Sequence, residues 1–281
     1  MDTWENAMNV EILKSDVSDN YFFLIFDDDG VAALIDPVDG KSAVERVKSE
    51  GLQLEVVINT HFHPDHVGGN PDVLEAFPDA IVVAGEVDAD AIDAQFGSAD
   101  QRGVDETVAG GDVVEVGEIA MDVLDTPGHT PGHVSFLCGH HLFSGDTIFV
   151  GGAGNCRFGG DPGVLFRTFR DVLRDLPPET VFYPGHDYAV RNGEFLLSIE
   201  SEHPETLSVL EEAKRAAKAG RLMKTTLGRE RAYNAFLRFD DPRLHQVLSD
   251  RFAEELEQAR RSSDSEDEAV FRCVRSMRDK W

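Results

Sequence analysis

Short apolar runs separated by acidic or glycine-bearing turns fill the first two thirds of the chain. "YFFLIF" (21–26) and "VAALID" (31–36) flank the turn "DDDG" and predict a hairpin. "KSAVERVKSEG" (41–51) predicts a helix stopped by Gly51, followed by the buried strand "LEVVIN" (54–59), the short helix "PDVLEAF" (71–77) and the strand "AIVVAG" (80–85). Further strands are expected at "DVVEV", "IAMDVLDT", "HVSFLCG", "HLFSGD" and "TVFYPG". Between the last two lies a helix, "DPGVLFRTFRDVLRDLPP", with Asp161 as N-cap, Pro162 in its first turn and Pro177 beyond its end. Strands and helices alternate, which predicts an α/β core of sheet layered with helices.

After Tyr188 the spacing of apolar positions changes to about 3.6. "HPETLSVLEEAKRAAKAG" starts near Pro204 and ends at Gly220, with Leu207, Leu210 and Ala213 as a packing face. "DPRLHQVLSDRFAEELEQARR" and "SEDEAVFRCVRSMRDKW" continue the helical character, the second opened by a Ser265/Glu268 capping box and preceded by the polar connector "RRSSDSEDE". We therefore expect a mixed α/β domain over 1–189 and an α-helical appendage over 190–281.

The 281 residues, 41% of them hydrophobic, suffice for one large core with a smaller satellite. No apolar run reaches the length of a membrane span, and "MDTWENAMNVEI" lacks the basic-then-apolar order of a secretory signal, so a soluble, cytoplasmic protein is expected. Cys138, Cys156 and Cys273 are odd in number and widely spaced, against a disulfide framework. Asp plus Glu outnumber Lys plus Arg by 53 to 26, for a formal charge of -27. That field repels phosphate backbones and anionic lipids, which disfavours nucleic acid and membrane partners. Abundant aspartate with little lysine looks like a protein kept soluble in concentrated salt.

The densest chemistry is in "VVINTHFHPDHVGGNPD" (56–72), which places three of the ten histidines and an aspartate within six residues. In extended chain, residues two apart share a side, so His61 and His63 can grip one ion as a strand ends. Pro64 biases His63 away from helical angles and can open a helix, setting Asp65 and His66 on a different path. One segment can thus present two ligand pairs to two adjacent metals. Each metal wants about three protein ligands and a position for water. Near other strand ends, His129 in "LDTPGHTPGH", Asp146 in "LFSGDT" and His186 in "FYPGHDY" are candidates to complete the sets.

In this order, "THFHPDH", "TPGHTPGH", "SGDT" and "PGHDY" resemble the metallo-β-lactamase superfamily, over nearly all of residues 10–190. The resemblance implies a four-layer αβ/βα sandwich with metals at the sheet edge. It implies His61, His63 and His129 around one divalent ion, Asp65, His66 and His186 around a second, and Asp146 bridging; the carboxylates Asp65 and Asp146 are the candidate catalytic residues. Two such ions, about 3.5–4 Å apart, share a hydroxide that is nucleophilic near neutral pH. Zinc is the first expectation, and iron or manganese suits the same donors. Histidine at position 63 argues against a flavo-diiron site, and histidine at 66 against the ordinary β-lactamase pattern.

The tail segment "KTTLGRERAYNAFLRFDDP" (224–242) resembles the "TL…E…NPFLR" stretch of glyoxalase II, the hydroxyacylglutathione hydrolases. That resemblance implies helices closing over the thiol arm of the substrate, with Tyr188 and Arg238 contacting glutathione. Asn155 or Arg157, in "GGAGNCRFGGDP" (151–162), would replace a basic residue of those relatives. Asp241 stands where many relatives carry lysine and would repel a substrate carboxylate; Ala235 replaces a proline. These departures bear on the identity of the carrier, glutathione or another small thiol. The implied reaction is attack of the bridging hydroxide on a thioester such as S-lactoylglutathione, yielding hydroxy acid and free thiol. Persulfide dioxygenases, which use one iron, share the histidine pattern but lack the long tail segment. His133 reads as a core or ligand-supporting residue, His140, His141, His203 and His245 as solvated, and Cys156 as an inert thiol.

Overall fold

The structure, a computed structural model, describes residues 8–96, 102–262 and 264–281. The first seven residues, part of the stretch judged against a secretory signal, and Ser263 of the polar connector lie outside the described residues. Packing divides the chain into two compact units. One comprises the residues up to Thr126, Thr130–Gly145 and Tyr183–His186; the other comprises Pro127–His129, Asp146–Phe182 and Asp187–Trp281.

In chain order the elements begin with β1 (Asn9–Lys14), β2 (Tyr21–Phe26), β3 (Val31–Ile35), α1 (Gly40–Glu50) and β4 (Gln53–Asn59). They continue with α2 (Pro64–Val67), α3 (Asn70–Ala76), β5 (Ile81–Gly85), α4 (Ala89–Phe96), β6 (Glu106–Val108), β7 (Val113–Val116), β8 (Ile119–Asp125), β9 (Val134–Cys138) and β10 (His141–Gly145). β11 (Ile148–Phe149), β12 (Gly152–Ala153), α5 (Pro162–Thr168) and β13 (Val181–Pro184) follow. The helical tail holds α6 (Ala189–Ile199), α7 (Pro204–Lys218), α8 (Leu227–Tyr233), α9 (Pro242–Arg251), α10 (Ala253–Ala259) and α11 (Glu266–Lys280).

The first unit is built on two sheets. Six strands run in the order β1-β2-β3-β4-β5-β6, antiparallel from β1 to β3 and parallel from β3 to β6. The expected hairpin is β2 with β3, pairing Phe23 with Ile35 and Phe26 with Ala32. Side chains alternate along β2. Phe22 and Leu24 therefore join Leu34, Val47, Val57 and Val73 in the core beneath α1 and α3. Phe23 points the other way, meeting the rings of Phe143 at 5.5 Å and Tyr183 at 5.6 Å from the second sheet, whose order is β13-β10-β9-β8-β7. With both faces covered, "YFFLIF" has no polar alternation.

Chain ends of helices follow local chemistry. Asp39 caps α1 by accepting from Ser42 N, and Gly51 closes it at φ 69°, a left-handed angle that costs glycine little. Asp161 accepts from Gly163 N and Val164 N as the N-cap of α5, which continues as one π-helical turn over Phe169–Leu173. The predicted single helix after Asp241 is instead two, because Phe252 at φ -136° and ψ 35° breaks it between α9 and α10. Ser265 accepts from Glu268 N at the start of α11, as its capping box predicts. In the second unit Phe166, Phe169, Phe236, Phe239 and Phe271 form a cluster of edge-to-face and tilted rings. Among the described residues no helix is long and apolar enough to cross a membrane.

Candidate metal centre

β4 ends at Asn59, and the chain leaves the sheet edge through Thr60 to His63 before Pro64 opens α2. His63 is extended, at φ -64° and ψ 141°, as a residue before proline should be. His61 Nε2 lies 3.1 Å from His63 Nδ1, and the His61 and His66 ring centres are 4.1 Å apart. The two histidines thus converge as their spacing predicts, although beyond the strand and not within it. Asp65 lies past the proline, its Oδ2 3.3 Å from His186 Nε2. Ligand atoms of Asp65, His66 and His186 all fall within 4.8 Å of one another, as do those of Asp36, His61 and His66.

Asp36, which sequence reading passed over, organises this cluster. Buried at the end of β3, it adopts φ 52°, a left-handed angle that aspartate tolerates better than most residues. Its Oδ1 accepts from Thr60 N at 2.8 Å; its Oδ2 accepts from Thr60 Oγ1 at 2.6 Å and from His66 Nδ1 at 2.8 Å. A hydroxyl has one proton, and Thr60 gives its proton to Asp36. Thr60 Oγ1 must then accept from His61 Nδ1, 3.0 Å away. Both His61 and His66 are thereby set as Nδ1–H tautomers with Nε2 lone pairs to offer. With its oxygens engaged this way, Asp36 orients both His61 and His66. The only trace in the sequence is an acid closing an otherwise apolar strand just before Pro37.

Three further residues support the cluster. Asn20 is buried, donates from Nδ2 to Asp65 O at 2.7 Å, and lies 3.3 Å from both Asp65 Oδ2 and His186 Nε2. Asp88 accepts from Thr130 Oγ1 at 2.6 Å and Gly132 N at 2.8 Å; burial raises its pKa, opposed by these bonds and by His63. His133, buried, stacks on His61 at 5.0 Å with Nδ1 2.9 Å from Thr126 Oγ1.

In the second unit, His129 Nδ1 lies 2.7 Å from the carbonyl oxygen of Asn155. A carbonyl only accepts, so Nδ1 carries the proton and Nε2 the lone pair, 3.5 Å from Asp146 Oδ2. Gly154 allows this closeness: a Cβ there would fall 2.0 Å from the Asp146 carbonyl oxygen and 3.1 Å from His129 Nδ1. Imidazole lone pairs fixed by outer partners, with carboxylates among them, suit a divalent metal ion, and the residues present fit such a group.

The proposed substrate contacts lie elsewhere on the second unit. Half-buried Tyr188 precedes α6, its ring 5.1 Å from Phe149. Asn155 Oδ1 accepts from Arg157 N at 3.0 Å, and Arg157, exposed, donates from Nη2 to Asp279 O. Arg238 is turned inward: it is buried, with Nη1 donating to Glu200 Oε2 at 2.6 Å and Nη2 to Asp241 Oδ2 at 2.5 Å. Burial lowers its pKa, and the bonds to these two internal carboxylates outweigh that and raise it. Asp241, expected to repel substrate, instead neutralises Arg238 and caps α9. Burial pushes the Cys156 thiol up to about 12, which keeps it inert at neutral pH. His140, His141, His203 and His245 are half-buried, so they are only partly solvated; His141 Nδ1, for example, lies 2.8 Å from the Tyr183 hydroxyl.

The family described as "Metallo-beta-lactamase superfamily" matches residues 16–186. The chain belongs to that superfamily. "Hydroxyacylglutathione hydrolase C-terminus" matches residues 187–281. The hydroxyacylglutathione hydrolase of Nitrosococcus oceani is 37% identical over 256 residues, covering 90% of this chain and 91% of that protein. Among solved structures, ETHE1 from Myxococcus xanthus is 30% identical with a TM-score of 0.60, covering 82% of this chain and 84% of that one. TTHA1623, solved in a di-iron-bound form, is 27% identical with a TM-score of 0.59, covering 81% and 100%. The architecture is accordingly the αβ/βα metallo-β-lactamase fold with a C-terminal helical region, and within this superfamily the chain falls with the hydroxyacylglutathione hydrolases.

Proposed function

We propose that this metallo-β-lactamase superfamily member hydrolyses a small-thiol thioester such as S-lactoylglutathione at a centre holding two divalent metal ions. His61, His63 and His129 would hold one ion, Asp65, His66 and His186 the other, with Asp146 between them. Zinc is the expected metal; iron or manganese would satisfy the same donors. The observation that carries this reading is the convergence of Asp65, His66 and His186 beside His61, with two of those imidazoles locked as Nδ1–H tautomers. The matched C-terminal segment directs it to thioesters, and the di-iron form of TTHA1623 supports a count of two.

When bound, the ions would supply an acidified water and an electrophile for the thioester carbonyl oxygen. The chain does the positioning. Asp36 with Thr60 fixes His61 and His66, Asn20 holds the Asp65 carboxylate beside His186, and the Asn155 carbonyl fixes His129. A thiol titrates near about 8.5, so the thiolate departs without a proton from any side chain. Tyr188, Asn155 and exposed Arg157 are the proposed contacts for the thiol carrier. Such a reaction would place the protein in methylglyoxal detoxification, and three cysteines outside any disulfide support a reducing, cytoplasmic setting.

Metal-replete protein should release free thiol from S-lactoylglutathione and consume no oxygen on glutathione persulfide. Oxygen uptake without thiol release from that or another small-thiol thioester would overturn the assignment. His66→Ala should lose about one metal equivalent of two by elemental analysis; unchanged content would place the second ion elsewhere.

A further inference from the structure

Arg275 lies on α11 and is 4% exposed. Its Nη1 donates to the carbonyl oxygens of Ala153 at 2.6 Å and Gly154 at 3.2 Å, and its Nη2 to Asp279 Oδ1 at 3.0 Å. The guanidinium carbon sits 5.3 Å from the centre of the Phe236 ring. The next carbonyl along the chain, that of Asn155, accepts from His129 Nδ1. Three successive peptide oxygens are therefore committed, two to Arg275 and one to His129. The same segment presses on the histidine from other points. A Cβ on Gly154 would lie 3.1 Å from His129 Cβ, and one on Gly160 would lie 2.5 Å from His129 O and 2.2 Å from Gly128 O.

A guanidinium is costly to bury, and here the carbonyl dipoles and Asp279 offset that cost. Without the cation, Ala153 and Gly154 would keep oxygens facing each other's dipoles in a segment whose central residue is glycine, the most freely rotating of all. The Asn155 carbonyl would then lose its fixed direction.

We propose that Arg275 is a positioning residue for the metal centre: by pinning the 153 and 154 carbonyls it fixes the Asn155 carbonyl, and with it the tautomer and ring plane of His129. This rests on His129 being a metal ligand. A ring released from that carbonyl can rotate or move its proton to Nε2, and either change withdraws the lone pair from the metal. Arg272, on the same helix, separates this role from simple anchoring of α11. It too is buried, but pairs with Glu268 at 2.8 Å and Asp264 at 3.2 Å.

The test uses full-length His129→Ala, Arg275→Met, Arg275→Lys and Arg272→Met, each loaded with zinc and titrated with chelator while released metal is counted. His129→Ala should lose about one zinc equivalent. Arg275→Met should release one equivalent at roughly 10–100-fold lower chelator concentration than the parent, the range expected when a ligand's outer partner is lost. Arg275→Lys should fall between, and Arg272→Met should match the parent even if it unfolds more readily. In spectra of ¹⁵N-histidine-labelled zinc protein, the His129 Nδ1–H signal should persist in Arg272→Met and broaden away in Arg275→Met. Parental metal release and an intact signal in Arg275→Met would overturn the proposal and leave the thioesterase reading standing, as would equal metal loss in Arg272→Met. Parental metal content in His129→Ala would remove the ligand assignment and this proposal together. Should Arg275→Met fail to fold, Arg275→Lys decides by the same two readouts.

Discussion

At the scale of single residues, one carboxylate ties more of the histidine cluster together than any other side chain. Asp36 accepts from Thr60 and His66 and, through the Thr60 hydroxyl, sets the proton on His61. Asp36→Asn keeps the size and tolerates the left-handed backbone, but an amide offers one acceptor oxygen where three donors converge. Its metal affinity, read by chelator competition, should fall by about 10–100-fold with the melting temperature little changed; parental affinity would reduce Asp36 to a packing residue. The histidine cluster was legible because metal-binding residue types sit at fixed short spacings around Pro64. Asp36 was not, since its partner His66 is 30 positions away, nor was Asn20, 166 positions from His186. The ion pair of Arg238 was hidden for the same reason: its partner Glu200 is 38 positions distant, and no local pattern announces a buried pair.

At the scale of elements, caps and apolar runs were the legible features, because a side chain meeting a backbone amide two or three residues on is a local event. Asp161 and Ser265 each cap the helix expected of them, and Asp39 caps α1 in the same way. The break at Phe252 was invisible, since nothing in "SDRFAEE" is a helix breaker. Glu230 on α8 shows what elements do to one another. Completely buried, it accepts from Gly151 N at 2.9 Å, Asn234 Nδ2 at 2.9 Å and the Tyr233 hydroxyl, yet burial outweighs these bonds and pushes its pKa up to about 7. The folded state thus holds a proton that the unfolded chain, titrating near 4.5, gives up. The stabilisation is complete below about 4.5 and is lost as pH rises through about 7, a swing on the order of 3 kcal/mol. Glu230→Gln keeps a carbonyl for Gly151 and Asn234 and has no proton to lose. Urea unfolding from pH 5 to 8 should therefore show the parent losing stability relative to the variant; parallel curves would show that the carboxylate is charged throughout.

At the scale of the whole molecule, the charge imbalance is the dominant fact. Of a formal -27, little is relieved locally, because arginines such as Arg46, Arg174 and Arg229 already face Glu11, Asp240 and Glu212. The remaining carboxylates repel one another over a range that salt controls, about 10 Å at 0.1 M and 3 Å at 1 M. Exposed ion pairs weaken under the same screening, but each contributes at most about 1 kcal/mol, whereas the repulsion is summed over the entire surface. Raising KCl from 0.1 to 2 M should therefore raise the melting temperature, with most of the gain below 1 M, where the screening length changes fastest. A preferential-exclusion effect would keep growing at higher salt and would be matched by sucrose. Association adds a second test, since an anionic thiol carrier approaching an anionic protein is slowed at low salt. For S-lactoylglutathione, kcat/KM should rise with KCl over the same range while kcat stays nearly constant. A melting temperature that falls with salt, or a kcat/KM indifferent to it, would mean that the acidic surface is locally neutralised near the catalytic groups and that its charge governs solubility alone.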